Sequence, residues 1–231
     1  MLICRLSILS ALILALSGCK DNQQAPSPNV DPTEDKKTEM QDTSTKTHKK
    51  SILCFGNSLT AGYGLDEQQA WPALMQSRLD SLSLPFKVVN AGLSGETTSG
   101  GLNRIDWVLR QPVDLFILEL GANDMLRGLN VDITKKNLSA ILDKVRAKYP
   151  DAQLVVAGML SPSNMGAEYE KAFNRIFSDL SMQYKAVLIP FLLDEVAGIK
   201  ELNLPDGKHP NVQGQKIVLE NVWQAIAPLL E

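Results

Sequence analysis

The chain has 231 residues, of which 44% are hydrophobic, 21% charged and 6% aromatic, with three cysteines, two histidines and a formal net charge of −3. That apolar fraction excludes a wholly disordered chain, three cysteines are too few for a disulfide scaffold, and two histidines leave little room for a His-rich metal centre. A net negative charge argues against a dedicated nucleic-acid binder, because neutralising phosphates needs a concentrated Lys/Arg surface.

In chain order, the first segment is Met1 to Cys19, with Arg5, the apolar run Leu6 to Leu16, and then Leu16-Ser17-Gly18-Cys19. The run is shorter than the roughly 20 apolar residues a membrane span needs, and it fits a secretory h-region followed by small residues. Leu-Ser-Gly-Cys resembles the lipobox of bacterial lipoproteins. The resemblance implies diacylation of the Cys19 thiol and cleavage just before it, which would place the protein outside the cytoplasm on a membrane. Lys20 to Lys50 follows, with six Lys against six Asp plus Glu and hardly a large apolar residue. It cannot bury enough surface to offset the entropy of ordering, so it reads as a disordered polar tether that reaches on the order of 30 Å. His48 falls in this tether and is expected to be solvated.

The globular part is expected over 51–231, with 16 basic and 20 acidic residues. Five short apolar runs read as strands buried on both faces, the habit of parallel sheets: Ile52–Phe55, Lys87–Val89, Leu115–Leu118, Leu154–Ala157 and Ala186–Ile189. Helical spacing groups Leu138, Ile141, Leu142 and Val145. It likewise groups Phe173, Ile176, Phe177 and Leu180, and then Val218, Val222, Ala225, Ile226 and Leu229. The alternation predicts an α/β fold, a three-layer αβα domain around a five-stranded parallel sheet.

In open parallel sheets, ligands sit where loops leave the C-terminal ends of the strands. Those loops carry Gly56-Asn57-Ser58-Leu59, then Leu93-Ser94-Gly95-Glu96, then Gly121-Ala122-Asn123-Asp124. Before the last helix stands Asp206-Gly207-Lys208-His209-Pro210. A serine hydroxyl needs a base to take its proton, and an imidazole base needs a carboxylate to fix its tautomer. Ser58, His209 and Asp206 fit these roles. Asp124 and Glu96 are rival acids, and Asp206 is preferred for its proximity to His209. The Ser58 N–H, the Gly95 N–H and the Asn123 side chain could form an oxyanion hole. Gly-x-Ser-x-Gly is absent, which excludes the α/β-hydrolase elbow, and no phosphate-cradling glycine motif occurs.

These four segments resemble the blocks of the SGNH (GDSL-like) hydrolase superfamily, across essentially all of 51–231. Ala70-Trp71-Pro72-Ala73-Leu74, Leu126-Arg127-Gly128 and Pro162-x-Asn164-x-Gly166-x-x-Tyr169 resemble its bacterial multifunctional esterase/thioesterase/lysophospholipase branch, which includes arylesterases. The resemblance implies a flavodoxin-like five-stranded sheet, Ser58 as nucleophile, His209 as base and Asp206 as its orienting acid. It also implies an acyl-enzyme intermediate, no cofactor and no metal. The loop containing Asp124, Leu126 and Leu129, with Ser161-Pro162 opposite, resembles the wall that meets the acyl chain. Asn57 departs from the pattern, where Asp is commoner; it keeps the capacity for loop hydrogen bonds but carries no charge. Acyl esters or lysophospholipids are the expected substrates of a monomer held to the membrane through Cys19. The alternatives are a carbohydrate O-deacetylase of the same superfamily, or a non-catalytic ligand-binding surface lipoprotein. Cys4 would leave with the signal, and Cys54 in the first strand is expected to be an inert buried thiol.

Overall fold

The structure is a computed structural model in which residues 49–230 are described; the signal segment, Cys19, His48 and nearly all of the tether lie outside them. Five strands form, β1 (Lys50–Gly56), β2 (Phe86–Gly92), β3 (Leu115–Glu119), β4 (Gln153–Ala157) and β5 (Val187–Ile189). Every neighbouring pair is parallel, in the order β2-β1-β3-β4-β5. Ile52 to Phe55 and Phe116 to Ile117 are fully buried, as strands covered on both faces must be. Lys50, which its composition assigned to the tether, instead opens β1. It lies opposite Phe86, its N–H donates to the Pro85 carbonyl at 2.8 Å, and its ammonium stands 5.6 Å from the Phe86 ring centroid. A charged residue at a strand end can pair its backbone while its side chain stays in solvent, so composition alone misplaces the boundary.

Seven helices are described: α1 (Ser58–Ala61), α2 (Trp71–Ser81), α3 (Thr98–Val108), α4 (Ala122–Leu126), α5 (Val131–Lys148), α6 (Ala167–Tyr184) and α7 (Val212–Ile226). The predicted stripes are the faces they bury. In α5 they are Leu138, Ile141, Leu142 and Val145, and in α6 Phe173, Ile176, Phe177 and Leu180. Each such side chain contributes roughly 1.5–3 kcal/mol by leaving water. Asparagine starts three of these helices: Asn57 accepts the Leu59 N–H, Asn130 the N–H groups of Asp132 and Ile133, and Asn211 those of Gln213 and Gly214. Helix α2 packs on α7, and α5 packs on both α3 and α6, so two helical layers enclose the sheet. None of the described helices is long and apolar enough to cross a membrane.

Strand order reverses between β1 and β3, which opens a crevice at their carboxyl ends. There Gly56 stands opposite Glu119 in register. A Cβ on Gly56 would lie 2.2 Å from Thr60 Oγ1 and 2.5 Å from Glu119 Oε2. Only a residue without a side chain lets these two groups meet beneath the turn into α1.

Candidate active site

Asn57 turns the chain out of β1, and its side-chain oxygen caps α1 by accepting the Leu59 N–H at 2.9 Å. Ser58 is therefore the first residue of α1, where a backbone N–H has no partner within the helix. The second part of the site comes from a loop that closes on itself. The Leu204 N–H donates to the His209 carbonyl at 2.7 Å and the Gly207 N–H to the Leu204 carbonyl at 2.9 Å. Within it Asp206 Oδ1 accepts the N–H groups of Lys208 and His209 at 2.9 and 3.1 Å, which leaves Oδ2 for His209 Nδ1 at 2.6 Å. His209 Nε2 then lies 2.8 Å from Ser58 Oγ, across 151 residues of sequence. The His209 hydrogen bond, followed by the Lys208 backbone N–H, holds the Asp206 carboxyl down to about 2. A carboxylate at Nδ1 favours the tautomer with its proton there, so Nε2 faces the hydroxyl as an acceptor. This arrangement can draw a proton from Ser58.

The rival acids have other partners. Glu96 is buried and pairs with the Arg104 guanidinium, which also donates to the Ala91 carbonyl at 2.8 Å and lies over the Phe55 ring. Asp124 is buried and accepts the Thr98 N–H at 2.8 Å and the Thr98 hydroxyl, so it holds the first residue of α3 and is not in the cleft lining.

Gly95 is the third residue of a turn closed by the Glu96 N–H on the Leu93 carbonyl at 3.1 Å. Its φ of +80° suits that position of a type II turn and is strained for residues with a side chain. The Gly95 turn is tied to α4 and the residues after it twice more. Asn123 Nδ2 donates to the Glu96 carbonyl at 2.9 Å, and Arg127 donates to the Gly95 carbonyl at 2.8 Å. Ser58, Asn123 and His209 line a cleft of about 390 Å³ whose wall includes Leu126, Met159, Pro162 and Phe191. Of the residues expected to meet an acyl chain, Leu126 and Pro162 are in that wall. Asp124, Leu129 and Ser161 stand outside it: Leu129 accepts the Tyr169 hydroxyl on its carbonyl, and buried Ser161 is held through its N–H by Asn174. Gly95 too lies outside the lining. Among the described residues, no three His, Cys, Asp or Glu side chains are grouped to hold a metal ion. Cys54 is fully buried, and burial pushes its thiol well above the ordinary range.

Two residues of the site were not singled out from the sequence. The Tyr63 ring packs on His209 with centroids 4.5 Å apart, and nothing in the Gly62-Tyr63-Gly64 turn signals that partner. Glu119 is buried beneath the turn and accepts from the Asn57 N–H, Asn57 Nδ2 and Thr60 Oγ1. Burial pushes its carboxyl up to about 7 against the opposing pull of those hydrogen bonds. The signal that could have found it is an acid closing an otherwise apolar buried strand at the switch point.

The sheet order, the switch-point serine and the Asp-His-Ser hydrogen-bonded series define a carboxylic ester hydrolase of the SGNH type. The model of the GDSL-like lipase/acylhydrolase family matches residues 54–217, and the chain belongs to that family. Over 182 residues it is 38% identical to the esterase TesA of Pseudomonas aeruginosa, covering 78% of this chain and 90% of that one. It is 34% identical over 181 residues to the thioesterase 1/protease 1/lysophospholipase L1 of Escherichia coli K12, covering 78% and 85%. Among solved structures, a crystal structure of TesA superposes with a TM-score of 0.74 at 39% identity, covering 78% of this chain and all of that one. The psychrotrophic esterase EstA from Pseudoalteromonas, in a form inhibited by monoethylphosphonate, superposes with a TM-score of 0.73 at 33% identity, covering 79% and 99%.

Proposed function

We propose that the protein cleaves acyl esters through an acyl-enzyme on Ser58, with His209 as the base and Asp206 as the group that orients it. The observation that carries this reading is the unbroken series Asp206 Oδ2, His209 Nδ1, His209 Nε2 and Ser58 Oγ, with contacts of 2.6 and 2.8 Å. Ser58 Oγ attacks the carbonyl carbon while Nε2 takes its proton. The Ser58 N–H and the Asn123 amide, both on the cleft, receive the charge that develops on oxygen, with the Gly95 N–H, in the turn that Asn123 holds, as the third donor. Protonated His209 then returns its proton to the leaving oxygen, and water repeats the sequence on the acyl-enzyme. The hydrocarbon wall of Leu126, Met159, Pro162 and Phe191 favours an acyl chain over a sugar ring in the cleft, which supports acyl esters and lysophospholipids as the substrate class. A fluorophosphonate probe is expected to add once per chain, on the peptide containing Ser58, as mass spectrometry would show. Across a panel of esters, kcat/KM should rise from acetyl to medium-chain acyl groups. A probe adduct elsewhere, or a preference for acetylated sugars, would refute the corresponding part.

We further propose that the mature chain begins at Cys19, lipidated and held outside the cytoplasm, with the polar segment as its tether. The Leu16-Ser17-Gly18-Cys19 sequence after an apolar run supports it. Two or more acyl chains would give stable anchoring where one would not. Metabolic palmitate label is expected in the wild-type protein and lost in Cys19→Ala; label that survives the substitution would remove the anchor.

A further inference from the structure

Glu119 lies 62 residues from Asn57 in sequence, yet meets it through two contacts. One carboxylate oxygen accepts the Asn57 N–H at 3.0 Å and the Thr60 hydroxyl at 2.8 Å, and the other accepts Asn57 Nδ2 at 2.6 Å. It thus grips the residues on both sides of Ser58 without touching Ser58 itself. The amide orientation of Asn57 is not free. Its oxygen accepts the Leu59 N–H, which can only donate, so Nδ2 must be the atom that faces Glu119. Gly56 leaves the room for this, because a Cβ there would lie 2.5 Å from Glu119 Oε2.

A carboxylate this deeply buried is costly to leave unpaired, and here every side-chain contact it makes is with a donor. With aspartate at position 57, the commoner residue of the pattern, two carboxyl groups would meet and would have to share a proton. Asn57 supplies that hydrogen permanently as an N–H.

We propose that Glu119 is a positioning residue for the reaction at Ser58, acting as the acceptor half of a buried pair whose donor half is Asn57. The two side chains can exchange roles, but both cannot be amides. Glu119 acts through the turn that fixes the Ser58 hydroxyl and N–H relative to His209 and Asn123, so its effect falls on the chemical step and not on substrate affinity. The proposal rests on Ser58 being the nucleophile.

In Glu119→Gln, either orientation of the new amide sets an NH₂ group against a donor of Asn57 or Thr60. Because small misplacements of reacting groups slow reactions by up to about 10²-fold, kcat should fall roughly 10- to 100-fold with KM within about twofold. The fluorophosphonate labelling rate of Ser58 should fall in parallel. In the double variant Asn57→Asp with Glu119→Gln, the new amide nitrogen at position 119 donates to the new carboxylate at position 57. The amide oxygen at position 119 then accepts the backbone N–H of residue 57 and the Thr60 hydroxyl, so every bond is remade with the side-chain donor and acceptor reversed. This double variant should regain at least about tenfold in kcat over Glu119→Gln alone. Wild-type kcat and labelling rate in Glu119→Gln, or a double variant no faster than the single one, would overturn the proposal. Should Glu119→Gln fail to fold, the near-isosteric Thr60→Val, which removes one donor from the same oxygen, decides. A kcat lowered roughly three- to tenfold at unchanged KM supports the proposal, and an unchanged kcat refutes it. Failure of the wild-type enzyme to label at Ser58 would instead remove the underlying reading of the nucleophile.

Discussion

Ser58→Ala is expected to lower kcat on p-nitrophenyl esters by about 10⁴- to 10⁶-fold, the range seen when a nucleophile is removed from a coupled triad. The hydroxyl oxygen is the only heavy atom lost, so binding in the cleft should persist and KM should change little. The initial burst of p-nitrophenol, which reports one acylation per active site, should vanish, along with fluorophosphonate labelling. Stability should change by less than about 1 kcal/mol, since the variant gives up a hydrogen bond at the edge of the cleft and opens almost no cavity. Together these outcomes separate chemistry from folding. Residual catalysis above the rate in water is expected from the remaining N–H donors. A variant that keeps full activity and its burst would exclude Ser58 as the nucleophile.

Asp206→Asn should lower kcat by about 10²- to 10⁴-fold, although the substituted side chain is nearly the same size. An amide at position 206 can donate to His209 Nδ1, which drives the ring proton to Nε2 and turns the face towards Ser58 from acceptor to donor. The pH dependence follows from the lowered pKa of Asp206. Asp206 is held at about 2 in the folded protein against an ordinary 3.8, chiefly by its bond to His209. A carboxyl shifted downwards adds stability that is complete above the ordinary value and lost as pH falls from about 4 towards 2. The side chain is 36% exposed, so solvent screens it and the gain is small. Urea denaturation at pH 5 and pH 2.5 is expected to show a slightly smaller pH-dependent loss for Asp206→Asn than for wild type. If Asp206→Asn retained wild-type kcat at neutral pH, Asp206 would not be the orienting acid.

The identity of that acid shows where sequence reading stops. Asp206, Asp124, Glu96 and Glu119 all lie near the carboxyl ends of the strands, on loops, a strand end or the short helix α4, and composition cannot rank them. Asp206 was legible because its partner is local: three residues of one closed loop bring carboxylate and imidazole together. Asp124 and Glu96 have their positions decided by Thr98 and Arg104, on a neighbouring helix whose placement depends on the packed sheet. Glu119 is the extreme case. In sequence it is the polar end of an apolar strand, and only the register of β1 against β3 reveals that it sits under the serine turn.

By itself the sequence determined the five strands, the helical stripes and the four loops that bear the chemistry, because buried runs, 3.6-residue periodicity and glycine-rich turns are local signals. It also determined the Asp206–His209 pairing. The tertiary structure alone decided what the other carboxylates do, Asp124 holding the first N–H of α3, Glu96 pairing with Arg104 and Glu119 supporting the turn at Ser58, and which of the expected wall residues face the cleft. A carboxyl group takes its role from the donors that surround it and from its exclusion from water; for Asp124 and Glu119 those donors lie 26 and 62 residues away in the chain, and for Glu96 the donor is Arg104 on the helix that follows.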